Sequence, residues 1–301
     1  MKGFEMKKIF NFIFVITIII TTSVASAGIV EPDCCNPPLP KIIQCGYSRP
    51  LRVAGMVSNP PFGWVEQRDE LLTKVLESFG LGRLVLDKIS SKLNIKYEST
   101  GFSSYSEAIK ALKKGEIDLL LTAYYRPQDL GIGTSILTPG YFKNPLTVYF
   151  KKGKEVSVNS LDDLKGIKGI VRTDEHIYPL FQHRLPKDVN IVQIPTSKKA
   201  FEMLMGEEVD YLIGSPYSID TELRHYNLEN DIISVPGILL DGNLFFVFST
   251  SSDCWRLKEK FTEALKEEDF SEENMKIMLQ QSINDYEEKI RNGVQLIEEE
   301  N

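Results

Sequence analysis

The stretch from Gly115 to Phe150 restricts the fold more than any other part of this sequence. Gly115 ends an amphipathic helical pattern, and residues 118–122 then form a short apolar run that is typical of a buried parallel strand. Two tyrosines and an arginine follow at 124–126, where the carboxyl end of such a strand opens to solvent. Ligands of open α/β sheets bind at that edge. A second apolar strand begins at 146, so the stretch predicts a binding edge followed by a crossing into another lobe.

The rest of the chain alternates short apolar runs with amphipathic patterns on both sides of Pro145. This alternation predicts parallel sheets in two α/β lobes. At 301 residues and 42% hydrophobic content, the chain is long and apolar enough for two such lobes. The predicted helices are 69–79, 81–93, 105–114, 160–164, 176–184, 197–205, 216–226, 255–266 and 271–291. The predicted strands are 51–57, 95–98, 118–122, 146–150, 167–171, 189–193, 211–213, 232–235 and 245–248.

The N-terminus has the pattern of a secretory signal peptide. Lys2, Lys7 and Lys8 precede an apolar run over 9–20, and small residues lead to a cleavage position after Ala27. A membrane anchor, the alternative, needs roughly 18 or more apolar residues, and this run is shorter. We therefore expect a soluble exported protein in a Gram-negative periplasm.

Removal of residues 1–27 takes away three lysines and one glutamate, which changes the formal net charge from −7 to −9. An acidic mature surface argues against nucleic acid or an anionic membrane as the partner. The predicted organisation is a signal peptide over 1–27, a Cys- and Pro-rich extension over 28–50, a first lobe over 51–145, a second lobe over 146–243 and a return to the first lobe over 244–301.

Four cysteines enter an oxidising compartment, where disulfides persist. Cys34, Cys35 and Cys45 lie near the N-terminus and Cys254 lies near the C-terminus. A bridge from the N-terminal group to Cys254 ties the two chain ends together, although the spacing leaves the pairing open. A metal cluster is disfavoured because there is no CxxC pair and no histidine nearby.

Three groups of residues in the first predicted lobe are candidates for ligand contact. Phe62 and Trp64 follow two prolines that end the first strand, and binding pockets favour aromatic walls. Thr122 ends the central strand and Tyr124 and Arg126 follow it, where a guanidinium suits a carboxylate. The alternatives are lobe packing for the aromatic rings and, for the arginine, a surface ion pair with an aspartate three residues later.

The order of five motifs resembles the family 3 extracellular solute-binding proteins, the periplasmic receptors of ABC importers for polar amino acids. The matching segments, which cover about residues 50–270, are Asn59–Phe62, Gly82–Asp87, Ala111–Asp118, Ser160–Gly166 and Gly206–Asp210. The resemblance implies the two-lobed type II periplasmic binding protein fold, with two hinge-crossing strands and closure on the ligand. It also implies that no cofactor is needed.

The resemblance points to further candidates in the second predicted lobe. The family carries a Gly-Ser/Thr turn where this chain has Thr173 and Asp174, and an aspartate where this chain has Ser215. An acidic turn at a helix start repels an anion and favours a cation. Helix capping is the structural alternative for Thr173 and Asp174. The family's arginine lies further beyond the central strand than Arg126.

The sequence therefore predicts a monomeric, non-enzymatic receptor that closes around a small polar, amino-acid-like solute. It would deliver this solute to an ABC permease in the inner membrane. The alternative is an interaction or sensing module on the same fold with a degenerate ligand site. The absence of the second-lobe aspartate and the Cys-rich extension motivate that alternative.

Overall fold

The first sheet is built around the strand predicted from the central stretch. The structure is a computed structural model that describes residues 45–70, 73–123, 134–136, 140–173, 177–237, 239–294 and 296, all within one compact unit, Ile42–Asn301. The predicted signal peptide and the extension up to residue 44 lie outside the described residues. The strands of this sheet are β1 (Leu51–Ala54), β5 (Tyr97–Ser99), β6 (Leu119–Ala123), β7 (Thr134–Ile136), β8 (Phe142–Lys143) and β14 (Asn243–Ser249).

The order of the first sheet is β5-β1-β6-β14-β7, with β8 on β14. Strands β5, β1 and β6 are parallel, while β14 runs antiparallel to β6. The helices α1 (Leu81–Leu93) and α2 (Tyr105–Lys114) have the predicted bounds. Ser104 caps α2 by accepting a hydrogen bond from the Glu107 N–H, and Gly115 ends it at a φ of 73°. The local signals in the sequence therefore fix these helices correctly.

The prediction of a helix over 69–79 is wrong. The strands β2 (Ser58–Asn59), β3 (Gly63–Glu70) and β4 (Thr73–Phe79) form a separate antiparallel sheet in the order β2-β3-β4. Trp64 pairs with Phe79 across β3 and β4, and their rings stack at 6.2 Å. Such cross-strand aromatic pairs stabilise a hairpin. Pairing with β3 therefore overrides the local helical spacing of this segment.

The second sheet has the order β11-β10-β12-β9-β13. Its strands are β9 (Thr147–Lys151), β10 (Lys168–Arg172), β11 (Asn190–Ile194), β12 (Tyr211–Gly214) and β13 (Ile232–Ser234). Its helices are α3 (Tyr178–Phe181), α4 (Ser197–Met205) and α5 (Pro216–Tyr226), with 3₁₀ helices at Leu161–Leu164 and Gln182–Arg184. We call the first sheet, the β2-β3-β4 sheet and the helices α1 and α2 the first lobe, and the second sheet with α3, α4 and α5 the second lobe.

Two chain segments cross between the lobes side by side. The Asn144 N–H donates to the Gly242 carbonyl at 2.8 Å, and Leu146 pairs antiparallel with Leu240. After β14 the chain continues through a 3₁₀ helix (Asp253–Leu257), α6 (Lys258–Ala264), a second 3₁₀ helix (Glu268–Phe270) and α7 (Glu272–Arg291). Both crossings are thus hydrogen-bonded to each other, as a hinge of two strands requires.

Apolar side chains cover both faces of the two large sheets. A large buried cluster includes residues of both sheets, such as Val53 and Ile213, together with the inner face of α1. A second cluster packs α2 against β6, and a third packs α4 and α5 against β10 and β12. Parallel strands covered on both faces read as continuous apolar runs, which explains why β6 was predictable. Among the described residues, no helix has both the length and the apolar character needed to span a membrane.

A disulfide joins Cys45, just before β1, to Cys254 in the 3₁₀ helix after β14. The expectation that Cys254 bridges to the N-terminal group is confirmed, and Cys45 is the partner. Beside it, the fully buried Asp118 accepts hydrogen bonds from Arg49 at 2.8 Å and from Arg52 at 2.8 Å. The start of β1, the start of β6 and the segment after β14 are therefore held together covalently and electrostatically.

Removal of the disulfide should lower the free energy of unfolding by about 2–5 kcal/mol, because the bridge closes a long loop in the unfolded chain. Its sequence separation is 209 residues. The double variant Cys45→Ala/Cys254→Ala, compared with the wild type by urea denaturation, measures this effect. Reductant should destabilise the wild type but not the variant. Equal midpoints for the oxidised wild type and the variant would contradict the prediction.

The Asp118 carboxyl should make stability depend on acid pH. Burial alone would raise its pKa, but the hydrogen bonds from Arg52 and Arg49 outweigh burial and lower the pKa from its ordinary value of 3.8 to about 2. A depressed folded-state pKa stabilises the protein above pH about 4, and this contribution is lost as the pH falls towards 2.

The contribution that Asp118 loses over this range is about 2 kcal/mol. Urea denaturation at several pH values between 4 and 2 should show this loss of unfolding free energy in the wild type. The loss should be much smaller in Asp118→Asn. The same change at the exposed Asp241 is the control. Identical pH profiles for the wild type and Asp118→Asn would refute this assignment.

Candidate functional site

The carboxyl ends of strands from both sheets meet at the junction of the two lobes. Asn59 ends β2, the short strand that comes after β1, and Thr122 lies in β6, whereas Arg172 ends β10 and Ser215 follows β12. All four residues have a relative exposure of 0%. Buried polar side chains are stable only when hydrogen-bonded, so each of them must have a partner at this junction. We call these four residues, together with Ser218 of α5, the junction cluster.

Asn59 connects the lobes directly. Its Oδ1 atom accepts a hydrogen bond from the Ser218 hydroxyl of the second lobe and another from Arg172 Nη2 at 3.3 Å. Asn59 belongs to one of the motifs in the sequence but is not among the predicted site residues. The available signal was an amide side chain directly before two prolines at the end of the first strand.

Arg172 is a fully buried cation at the end of β10. Its Nη1 atom contacts the Glu222 carboxylate of α5 and the Ser197 hydroxyl at the start of α4. A buried guanidinium is stable only with a paired anion and satisfied donors. Arg172 is not among the predicted site residues because the predicted strand ends one position earlier, at Val171. An arginine that continues an apolar strand at its carboxyl end was the signal.

Ser215 connects the second lobe to the hinge. Its hydroxyl caps α5 by accepting from the Ser218 N–H at 3.5 Å, and it donates to Asn144 Oδ1 at 2.5 Å. Asn144 is fully buried and belongs to the first crossing segment. The structure therefore places the predicted Ser215 in contact with the hinge, at the position where the resemblance implies an aspartate.

The Thr122 hydroxyl lies 3.0 Å from the Tyr141 hydroxyl and 3.4 Å from the Phe62 carbonyl oxygen. Burial raises the pKa of Tyr141, and the hydrogen bond with Thr122 offsets part of this effect. The start of α1 approaches so closely that a Cβ atom on Gly82 would lie 2.4 Å from Thr122 Oγ1. Glycine is therefore required there, because a side chain at residue 82 would displace the threonine.

Phe62 and Trp64 lie in different environments. Phe62 is fully buried, and its ring centroid is 6.0 Å from that of Tyr217 in the second lobe and 5.8 Å from that of Phe142. Trp64 instead stacks on Phe79 and meets Tyr286 of α7 edge-on at 5.5 Å. Of the two predicted aromatic residues, the structure brings Phe62 to the lobe junction and Trp64 to the packing of α7.

The remaining predicted contacts are only partly described. Thr173 follows Arg172 and is half-buried, and its N–H donates to the Ile194 carbonyl at 2.9 Å. Tyr124, Arg126 and Asp174 lie outside the described residues, so their predicted ligand contacts stay predictions. The described part of the site is therefore the junction cluster with Phe62.

Comparisons with solved structures identify the fold. One similar structure is AbpA of Streptococcus pneumoniae, an amino acid ABC transporter substrate-binding protein bound to L-arginine. It has a TM-score of 0.60 and 15% identity over 78% of this chain and 94% of that chain. The GluR0 ligand-binding core with L-glutamate has a TM-score of 0.63 and 16% identity over 79% of this chain and 100% of that chain.

The periplasmic VFT2 domain of BvgS from Bordetella pertussis is also similar, with a TM-score of 0.59 and 17% identity over 77% of this chain and 92% of that chain. No family model matches the chain, and no curated protein sequence matches it significantly. The likeness to solved structures confirms the predicted fold, the two-lobed type II periplasmic binding protein fold.

Replacing Arg172 by methionine should lower the free energy of unfolding by about 3–5 kcal/mol, because it leaves the buried Glu222 carboxylate without its cation. The double variant Arg172→Met/Glu222→Gln should recover part of this loss. Urea denaturation measures both, with Arg184→Met at an exposed position as the control. A single variant as stable as the wild type would show that the pair contributes little.

Proposed function

We propose that this protein is a periplasmic solute-binding receptor related to the family 3 receptors of ABC importers. The observation that carries the proposal is the junction cluster, a fully buried set of polar groups where strands of both lobes end. In open α/β sheets this is the position where ligands bind. The fold supports a ligand-binding role, and the predicted signal peptide supports a periplasmic location and a partner permease in the inner membrane.

The chemistry of the junction cluster favours an amino-acid-like solute. Arg172 and Glu222 place a guanidinium and a carboxylate side by side, while Asn59 and Ser218 add neutral polar groups. On this proposal, the solute carboxylate takes the place of Asn59 on Arg172, and Glu222 supplies the carboxylate that Ser215 lacks. A guanidinium suits a carboxylate because its donors form a fixed fork. The receptor performs no chemistry and needs no cofactor.

A thermal-shift screen tests the proposal. The protein is unfolded and refolded to remove any bound ligand, then screened against amino acids, amines, small carboxylates and sugars. A ligand at 100 times its dissociation constant stabilises the folded state by about 2.7 kcal/mol. For a chain of this size we expect an increase in Tm of roughly 5–10 °C.

Matched variants separate a specific site from general stabilisation. Arg126→Ala should weaken ligand binding at least tenfold, because the sequence predicts this guanidinium as a ligand contact. Arg184→Ala, at an exposed position of the second lobe, should leave the response unchanged. Silence across the whole panel would count against a solute receptor. A response that Arg126→Ala and Arg184→Ala reduce equally would count against Arg126 as a ligand contact.

A second candidate function, a sensing or interaction module, is favoured by the direct contacts between the lobes. Asn59 with Ser218 and Phe62 with Tyr217 connect the lobes through side chains of the protein itself. A module of this kind holds the closed arrangement without a solute. Its partner is then a protein that recognises the closed surface.

Small-angle X-ray scattering of the refolded, solute-free protein distinguishes the two candidates. A solute receptor should have a larger radius of gyration without solute than with it, since its lobes separate. A sensing module should stay compact, and Asn59→Ala should expand it because the connection between the lobes is lost. If the solute-free protein is compact and Asn59→Ala does not change its radius of gyration, Asn59 does not hold the lobes together.

A further inference from the structure

The helix α7 is fastened to the first lobe. The Ser282 hydroxyl donates to the Pro61 carbonyl at 2.6 Å, and the Lys289 ammonium lies 2.9 Å from the Glu66 carboxylate of β3. Ser282 is fully buried and Glu66 is 2% exposed, while apolar residues of the first half of α7 belong to the large buried cluster. Buried polar contacts of this kind are costly to break. We therefore treat α7 and the β3–β4 hairpin as one rigid body.

The same helix also contacts the second lobe. Arg224 Nε of α5 donates to Glu287 Oε1 of α7 at 3.0 Å, and the His225 ring meets the Tyr286 ring edge-on at 6.5 Å. Arg224 Nη2 also donates to Thr221 Oγ1 within α5 at 3.3 Å, which holds the guanidinium in place. The helix α7 therefore connects the two lobes at a second point, and this outer contact shares no residue with the junction cluster.

The outer contact lies further from the hinge than the junction cluster does. The cap of α5 is Ser215, whose hydroxyl contacts Asn144 of the first crossing segment. An α-helix rises 1.5 Å per residue, so Arg224 lies roughly 13 Å from Ser215 along the helix axis, whereas Ser218 lies roughly 4–5 Å from it. In a rotation about a hinge, the displacement of a group grows with its distance from the hinge. Opening of the lobes therefore moves Arg224 further than it moves Ser218.

The exposure of the outer contact makes it sensitive to salt. The side chains of Arg224 and Glu287 are 43% and 34% exposed. The Debye length falls from about 10 Å at 0.1 M salt to about 3 Å at 1 M, so added salt screens an ion pair of this kind. A partly exposed pair shifts an equilibrium only several-fold. It therefore favours closed lobes without preventing them from opening again.

We propose that α7 is an outer latch of the two lobes, with Arg224 and His225 on α5 and Tyr286 and Glu287 on α7 as its two halves. The latch forms only when the lobes are fully closed, and it stabilises that arrangement. This inference rests on the closing motion of the proposed function, but it involves neither a solute nor the junction cluster. Closure then depends on ionic strength as well as on the contacts at the junction.

Zero-length cross-linking of the refolded, solute-free protein tests whether the latch forms in solution. A carbodiimide converts a carboxylate into an O-acylisourea, and an amine in contact with it attacks the carbonyl carbon, which forms an amide and releases a urea. The variant Arg224→Lys supplies the amine, and Glu287 supplies the carboxylate. We expect mass spectrometry to detect an amide between positions 224 and 287. The amide accumulates even when the lobes close only part of the time.

Two controls accompany the cross-linking. Lys92 and Asp269 lie 2.8 Å apart, are both partly exposed and do not involve the second lobe, so their amide should form in every variant. Arg184→Lys places an amine at an exposed position of the second lobe and should give no amide with α7. An amide between Lys92 and Asp269 without one from position 224 to α7 would overturn the proposal.

Charge reversal tests whether the latch stabilises closure. Arg224→Glu places two carboxylates opposite each other and should lower the ratio of closed to open protein several-fold, which small-angle X-ray scattering detects as a larger radius of gyration. The swap Arg224→Glu/Glu287→Arg restores opposite charges and should restore the wild-type radius. Salt at 1 M should reduce the difference between the wild type and Arg224→Glu. Arg184→Glu, the same charge change at an exposed position, should have no effect.

The scattering results separate a latch from a contact without effect on closure. The proposal fails if Arg224→Glu has the wild-type radius of gyration, or if the swap stays as expanded as Arg224→Glu. Failure of the latch is also distinct from failure of the proposed function. If no solute raises the Tm while the amide between positions 224 and 287 forms, the solute receptor is contradicted and the latch is not.

Discussion

The pairing of the two crossing segments is the constraint on which the rest of the structure depends. Asn144 and Leu146 each donate a backbone hydrogen bond to the second crossing segment, at Gly242 and Leu240. The Asn144 side chain then accepts from Ser215, which also caps α5. A shift of this pairing by one residue would turn Asn144 to the opposite face. The pairing register of the crossing segments therefore also determines the position of Ser215 and the start of α5.

Local signals account for the parts of the fold that the sequence predicted well. Helix α5 begins at a serine followed by proline and ends at Asn227 in the left-handed conformation, so its capping chemistry lies within the segment itself. The β3–β4 hairpin was predicted wrongly because its decisive contact joins Trp64 to Phe79 through backbone pairing. Taken alone, the segment 69–79 also fits a helical spacing. Only the partner strand decides between the two structures.

The junction cluster was only partly predictable for a related reason. Ser215 follows one apolar strand and Thr122 lies near the end of another, and the position of a strand end is a local signal. The contacts of Asn59 with Arg172 and Ser218 span 113 and 159 residues of sequence. Nothing in the periodicity of one segment encodes a contact with another at that distance. A polar residue directly after a buried strand predicts a place on the cleft edge but not its partner across the cleft.

The two candidate functions differ in one physical quantity, the free energy difference between the open and closed arrangements. A solute can shift this equilibrium only by its difference in affinity for the two arrangements. Each contact that Asn59 and Phe62 make with the second lobe stabilises closure before any solute binds, and a solute that replaces Asn59 on Arg172 must first displace it. Strong direct contacts thus make closure independent of solute, whereas weak ones leave closure to the solute. The strength of the contacts that Asn59 and Phe62 make with the second lobe therefore distinguishes a solute receptor from a module that binds a protein partner.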